Sequence, residues 1–201
     1  MVFLTGRVAE IAVLGSDESA SRIRVQASVR ASFDSMARAL RLMALGLADP
    51  DTVAAASDGD LIASGRLFAG ADAALEQAQD ADYALTAYAT DGRPLAWNGR
   101  PSELPPDRLQ GDEAWFFTRG ALGLRLVYVT PVMTATGERI GAVAAERSLD
   151  QPMAPPADAD VFRYRTRVAP VSIELRFEGA RTSPDASAFA VQAPSGVMSS
   201  P

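Results

Sequence analysis

Between Tyr83 and Asp150 the chain alternates apolar and polar residues in five short runs, and two glycine turns dictate how those runs pair. Tyr83–Thr90 and Leu95-Ala-Trp97 flank a turn at Asp91-Gly92-Arg93-Pro94. Leu122–Val132 and Arg139–Arg147 flank a turn around Thr136-Gly137. Asp-Gly and Thr-Gly between alternating runs are hairpin signals, because glycine supplies the positive φ that such turns require. A polar crossover of about 15 residues separates the hairpins, and Glu113–Arg119 supplies a middle strand. One antiparallel sheet is therefore predicted, with residues 83–90, 94–98, 113–119, 122–131 and 139–148 all taking part.

Upstream, residues 19–48 carry the longest helical pattern. Phe33, Met36, Leu40, Met43 and Leu47 recur at three- and four-residue steps, with Ala37 and Ala44 beside them. Arg30, Asp34, Arg38 and Arg41 fall mostly off that stripe. No proline intervenes before Pro50, which reads as a stop. Residues 7–14 read as an upstream extension of this helix, with Gly15-Ser16 as a break. The stripe suits a seam between two copies of the chain or, equally, the core of one copy. A second helical segment spans about Asp60–Gln79, where Gly65 and Gly70 favour a division into two. The crossover Arg100–Gly111 is too rich in proline for more than one helical turn.

At 201 residues and 48% hydrophobic, the chain can bury a core of ordinary size, and one domain with extensions is the natural expectation. A formal charge of -6 argues against a nucleic-acid surface. The one dense basic cluster, Arg163, Arg165 and Arg167, alternates like a solvated strand face. Histidine, cysteine and lysine are all absent. Ser-His-Asp catalysis, a phospho-accepting histidine, thiol nucleophiles, disulfides and Schiff bases are excluded within these residues. An enzyme is not expected, nor is a cofactor or metal. Glu103, Asp107, Asp112 and Glu113 are the carboxylates a glycosidase pair would use, but loop acids are ordinarily solvated. Ser57-Asp58-Gly59-Asp60 is too short for a calcium loop. Absence of cysteine fits an oxidising compartment, and the arginine-only, alanine-rich composition fits a GC-rich bacterial genome.

Neither a signal peptide nor a transmembrane run is visible: Val2-Phe3-Leu4 and Ile11–Leu14 fall far short of about 20 apolar residues. The chain is expected to be soluble or an excised piece of a membrane protein. Gln151–Asp160 reads as a linker. Val161–Val168, Val171–Phe177 and Ala188–Gln192 read as strands after it, the opening of something continued elsewhere. The expected division is thus 1–150 and 151–201.

The runs Asp91–Arg100, Trp115-Phe-Phe, Arg125–Val132 and Arg139–Arg147 together resemble the extracytoplasmic PAS-like or Cache sensor domains of bacterial membrane histidine kinases. The resemblance covers residues 19–150. It implies an α+β fold: an antiparallel sheet of about five strands with a long N-terminal helix and short flanking helices. It also implies a periplasmic or extracellular input module that binds a small molecule and relays a helix shift across the membrane, with membrane contact only through segments outside this chain. A structural dimerisation domain without a small ligand is the alternative, and a homodimer through the N-terminal helix is expected in either case. A small hydrolase is disfavoured by the missing catalytic residue types.

Candidate ligand-binding residues are Tyr88, Trp97, Arg100, Trp115, Phe117 and Tyr128, rings walling a pocket with Arg100, Arg119 or Arg125 as anchor for an organic acid. Their alternative role is core or edge packing. Glu146-Arg147 reads as a structural ion pair or as part of the output junction. In the penultimate strand Leu124, Leu126 and Tyr128 share one face and Arg125, Val127 and Val129 the other. Both faces are therefore expected to be covered, one by helix and the other by loop and pocket.

Overall fold

A computed structural model describes residues 2–8, 18–78, 83–120, 123–149, 161–165, 170–177 and 188–192. They divide into two compact units, Met1–Met36 with Leu149–Pro201, and Ala37–Ser148. The elements of the second unit stand in the predicted order. Strands β2 (Tyr83–Ala89) and β3 (Pro94–Asn98) form the first hairpin. Strands β4 (Ala114–Gly120), β5 (Gly123–Met133) and β6 (Arg139–Ser148) form the closing meander. The sheet is antiparallel throughout, in the order β3-β2-β6-β5-β4. Both hairpin turns carry glycine in the left-handed region, Gly92 at φ 81 and Gly137 at φ 83.

Three helices precede the sheet: α1 (Glu18–Leu47), α2 (Pro50–Ser57) and α3 (Leu61–Ala78). Pro50 does stop α1, and it also opens α2. Proline suits the first helical position, where its missing N–H is no loss. Asp49 caps that helix by accepting from Thr52 N at 2.9 Å. The short Ser57–Asp60 loop serves the next helix in the same way, with Asp60 Oδ1 accepting from Ile62 N at 2.7 Å. The second helical segment is one helix despite Gly65 and Gly70. At Gly70 an added Cβ would stand 3.0 Å from Leu47 Cδ1, so this glycine permits close approach of the end of α1.

The first unit holds a second antiparallel sheet, of strands β1 (Val2–Val8), β7 (Val161–Arg165), β8 (Pro170–Phe177) and β9 (Ala188–Gln192), in the order β7-β8-β1-β9. This changes two expectations. Residues 7 and 8 belong to a strand, not to a helical extension; residues 9–14 lie outside the described residues. The C-terminal strands are not a separate β segment, because β1 pairs with both β8 and β9. The linker at 151–160 and Arg167 also lie outside the described residues.

Helix α1 runs unbroken for 30 residues, about 45 Å at the usual rise. Its buried positions are Val25, Val29, Phe33, Met36, Ala37, Leu40, Ala44 and Leu47. One chain therefore buries Phe33, Met36 and Leu40 by itself, as the core reading of the stripe expects. The exposed large apolar residues of the helix are Ile23, Leu42 and Leu45.

The pairing registers sort the sheet into two covered faces. Trp115, Phe117, Leu126, Tyr128, Val143, Ala145, Leu85 and Ala87 share the helix-covered face. There Gly141 lets α2 approach, since a Cβ would stand 2.9 Å from Val53 Cγ1. On the opposite face Tyr88, Phe116, Val127, Val129, Ala142 and Ala144 form a core with Leu104 and Leu109 from the crossover. That crossover contains a single helical turn, α4 (Pro106–Gln110).

Candidate functional site

The crossover, residues 99–113, is tied to the sheet by backbone atoms, and a buried ion pair holds those atoms. Glu146 sits on β6 opposite Ala84 of β2 and Val127 of β5. Arg125 lies diagonally across on β5. Its Nη1 donates to Glu146 Oε2 at 3.2 Å, with the side chains 6% and 1% exposed. Ser102 N donates to both oxygens of Glu146, each at 3.0 Å. The same Arg125 nitrogen donates to Arg100 O. Buried charges persist only where partners and hydrogen bonds surround them, and here the chain supplies both. Gly99, at φ 83, brings the start of the crossover against β2, where a Cβ would stand 2.9 Å from Ala84 Cα. At the other end Arg139 donates to Leu109 O, at 2.7 Å, and to Gly111 O.

Beneath this strap two hydroxyls have no hydrogen-bond partner, Thr86 Oγ1 and Ser102 Oγ. Leaving a buried polar group unpaired costs about 1–3 kcal/mol, so these two on one face are an unmet cost of the fold. The Tyr88 hydroxyl stands near Thr86 and Glu146. Burial pushes it up to about 12, and the Glu146 charge adds to that while Thr86 opposes it.

The second polar feature lies between α1 and the sheet. Arg41 Nε contacts Glu113 Oε1 at 3.3 Å, both side chains about half exposed. Glu113 is the last residue of the crossover before β4. Close by is the fully buried Tyr128, whose hydroxyl is unpaired and whose ring lies 4.4 Å from that of Trp115. Burial first, then the nearby Glu113, push the Tyr128 hydroxyl above its ordinary value. Among the described residues no group of three or more acidic side chains gathers as metal ligands.

The six residues chosen from sequence do not meet in one place. Trp115, Phe117 and Tyr128 share the helix-covered face, whereas Tyr88 lies on the crossover face. Trp97 is on β3, at the opposite edge of the sheet from β4, about 19 Å away across four strand spacings. It is 48% exposed and packs edge-on against Phe68 of α3 at 5.4 Å. Arg100 is exposed and contributes its carbonyl to the strap. Arg125 does anchor a carboxylate, but that carboxylate is the chain's own Glu146. Arg119 falls in β4 opposite Leu124.

Glu146 and Arg147 do not pair with each other, because adjacent strand residues face opposite ways. Arg147 instead donates to Tyr83 Oη at 3.0 Å and lies over that ring. Of the four loop carboxylates, Glu113 is engaged by Arg41, while Glu103, Asp107 and Asp112 are exposed. Sequence reasoning passed over Thr86 and Ser102. Thr86, the one aliphatic hydroxyl in the run Tyr83–Ala89, was the available signal; nothing local distinguishes Ser102.

No family model matches the chain, and neither does any curated protein sequence. Among solved structures it is similar to the periplasmic domain of Vibrio cholerae LuxQ, at 12% identity and TM-score 0.46, over 77% of this chain and 99% of that one. A selenomethionine structure of the same domain gives 11% and 0.43, over 77% and 97%. No helix among the described residues is long and apolar enough to cross a membrane.

Proposed function

We propose that this chain is a signal-input module, the periplasmic sensor domain of a membrane receptor of the histidine-kinase kind. In this reading it takes up a small molecule between the sheet and the crossover and passes the change to α1. The observation that supports it most is the strap itself. One buried ion pair governs two backbone contacts of the crossover, and unpaired hydroxyls lie beneath it. A ligand completing those hydroxyls favours one position of the crossover over another.

The route to α1 is short. Glu113 ends the crossover and pairs with Arg41 of α1. A half-exposed pair of this kind is worth only about 0.2–1 kcal/mol. Shifting an output tenfold needs about 1.4 kcal/mol of differential binding. The pair is therefore insufficient alone, and the packed Trp115–Tyr128 rings beside it carry the remainder. Catalysis belongs to a partner region, since these residues lack histidine, cysteine and lysine.

The test is a receptor chimera with residues 1–201 placed ahead of a transmembrane kinase core, read by autophosphorylation in vesicles. The probe is the metabolite giving the largest thermal shift of residues 1–201. That metabolite should change phosphorylation, and Arg41→Gln should reduce the change while leaving binding intact. Tight binding with no change in phosphorylation would sink the reading.

A second reading, a dimerisation domain without a ligand, is favoured by Leu42 and Leu45, which are 72% and 45% exposed on α1. It predicts self-association that Leu42→Glu abolishes in sedimentation, with the helical dichroism unchanged.

A further inference from the structure

We infer that the molecule received beneath the crossover is uncharged and rich in hydroxyls, a polyol or sugar and not an acid. The inference rests on the sensor reading above and narrows its ligand. The place a ligand carboxylate would take is already filled. Glu146 accepts from Ser102 N through both oxygens and from Arg125 Nη1 through one. Its charge and that of Arg125 cancel. An incoming anion would have to displace Glu146 and leave it buried without its partner, the costly arrangement for an ionic group.

Two further guanidiniums of the crossover face are committed as well, while that of Arg100 is exposed. Arg139 donates to Leu109 O and Gly111 O. Arg108 lies over the Phe116 ring, 5.2 Å from its centroid.

What the face leaves unused is neutral. Thr86 Oγ1 and Ser102 Oγ are buried and unpartnered, and each hydroxyl can both donate and accept. Thr86 stands opposite Ala144, two residues from Glu146 on the same face. Diagonal neighbours of this kind lie about 7–8 Å apart, and Ser102 is bonded to Glu146. The two hydroxyls thus fall within the span of one molecule of a few carbons. Ala84 and Ala144 beside them are covered by the crossover, Ala84 by Gly99 and Ala144 in the core with Leu104 and Leu109, so a molecule reaching both hydroxyls has to lift the crossover from the sheet.

Calorimetry and thermal shift on residues 1–201, at fixed ionic strength, decide this with matched probes: glycerol and glycerate, glucose and gluconate, galactose and galacturonate. Neutral members should bind and their acids should not. Thr86→Val and Ser102→Ala should each weaken the neutral ligand about tenfold, the worth of one hydrogen bond. Thr86→Ser, which keeps the hydroxyl, should retain binding and guards against a simple packing effect. If the acids bind and the neutral members do not, with affinity lost in Arg125→Met, the inference is overturned while the sensor reading stands. Neutral binding unchanged in both hydroxyl variants would also overturn it. If no member of either series binds, the inference falls, and the sensor reading still answers to the chimera.

Discussion

Arg125 and Glu146 stand 3.2 Å apart on neighbouring strands, both buried, and between them hold the carbonyl of Arg100 and the amide of Ser102. The pair thus closes the crossover through backbone atoms, which substitutions in the crossover other than Ser102→Pro leave in place. Deleting one partner strands the other charge in the interior. Glu146→Gln and Arg125→Met should each cost about 3–5 kcal/mol in urea unfolding. The double variant should recover part of that loss. Equal and additive losses would show that the two charges are not coupled.

The buried stripe of α1 gives a contrast within one helix. Leu40 is 0% exposed, whereas Leu42 is 72% exposed. Leu40→Ala should destabilise by about 2–5 kcal/mol, and Leu42→Ala should stay within about 0.5 kcal/mol. Thermal unfolding of the two variants checks this directly, and similar losses in both would mean that Leu42 is covered in solution.

At the start of α2, the Thr52 hydroxyl and amide hold the Asp49 carboxyl below its ordinary value. A group depressed in the folded state stabilises above its unfolded value, about 3.9, and loses that contribution as pH falls through its folded value. Asp49→Ala should cost about 1 kcal/mol at neutral pH. Its loss relative to wild type should shrink steadily in stability curves taken below about pH 4.

The tyrosines run the other way. Tyr88 is pushed up to about 12, and Tyr128 is also raised. A raised group contributes fully below its unfolded value, about 10, and loses that contribution as pH rises through its folded value. Stability should therefore fall between about pH 10 and 12, with tyrosinate absorbance appearing as the chain unfolds. Tyr88→Phe should flatten part of that slope.

The five-stranded sheet was legible because its turns are local: Gly92 and Gly137 announce both hairpins, and the strand bounds follow. The β5–β6 register does not follow from the second turn alone, because it shifts by one residue between Val132 and Met133, and only after that shift does Glu146 fall opposite Val127 and diagonal to Arg125. The pairing of Glu146 with Arg125 was therefore not legible, and adjacency in sequence pointed to Arg147 instead. The second sheet was not legible. Strand β1 pairs with partners more than 160 residues away, and no local signal carries that contact. The aromatic pocket failed for a geometric reason. Alternation sends Tyr88 and Tyr128 to opposite faces, and strand order sends Trp97 and Trp115 to opposite edges. Pro50 was read only as a stop, since a helix can begin where another has just ended.

The most direct test of the central claim is hydrogen–deuterium exchange of residues 1–201, with and without the metabolite that gives the largest thermal shift. The account predicts slower exchange in residues 99–113, where the crossover closes, together with a change in residues 37–47 of α1. That change should be lost in Arg41→Gln. Protection confined to other segments, or protection of the crossover with α1 unaltered, would contradict a crossover that receives a ligand and reports it to the helix.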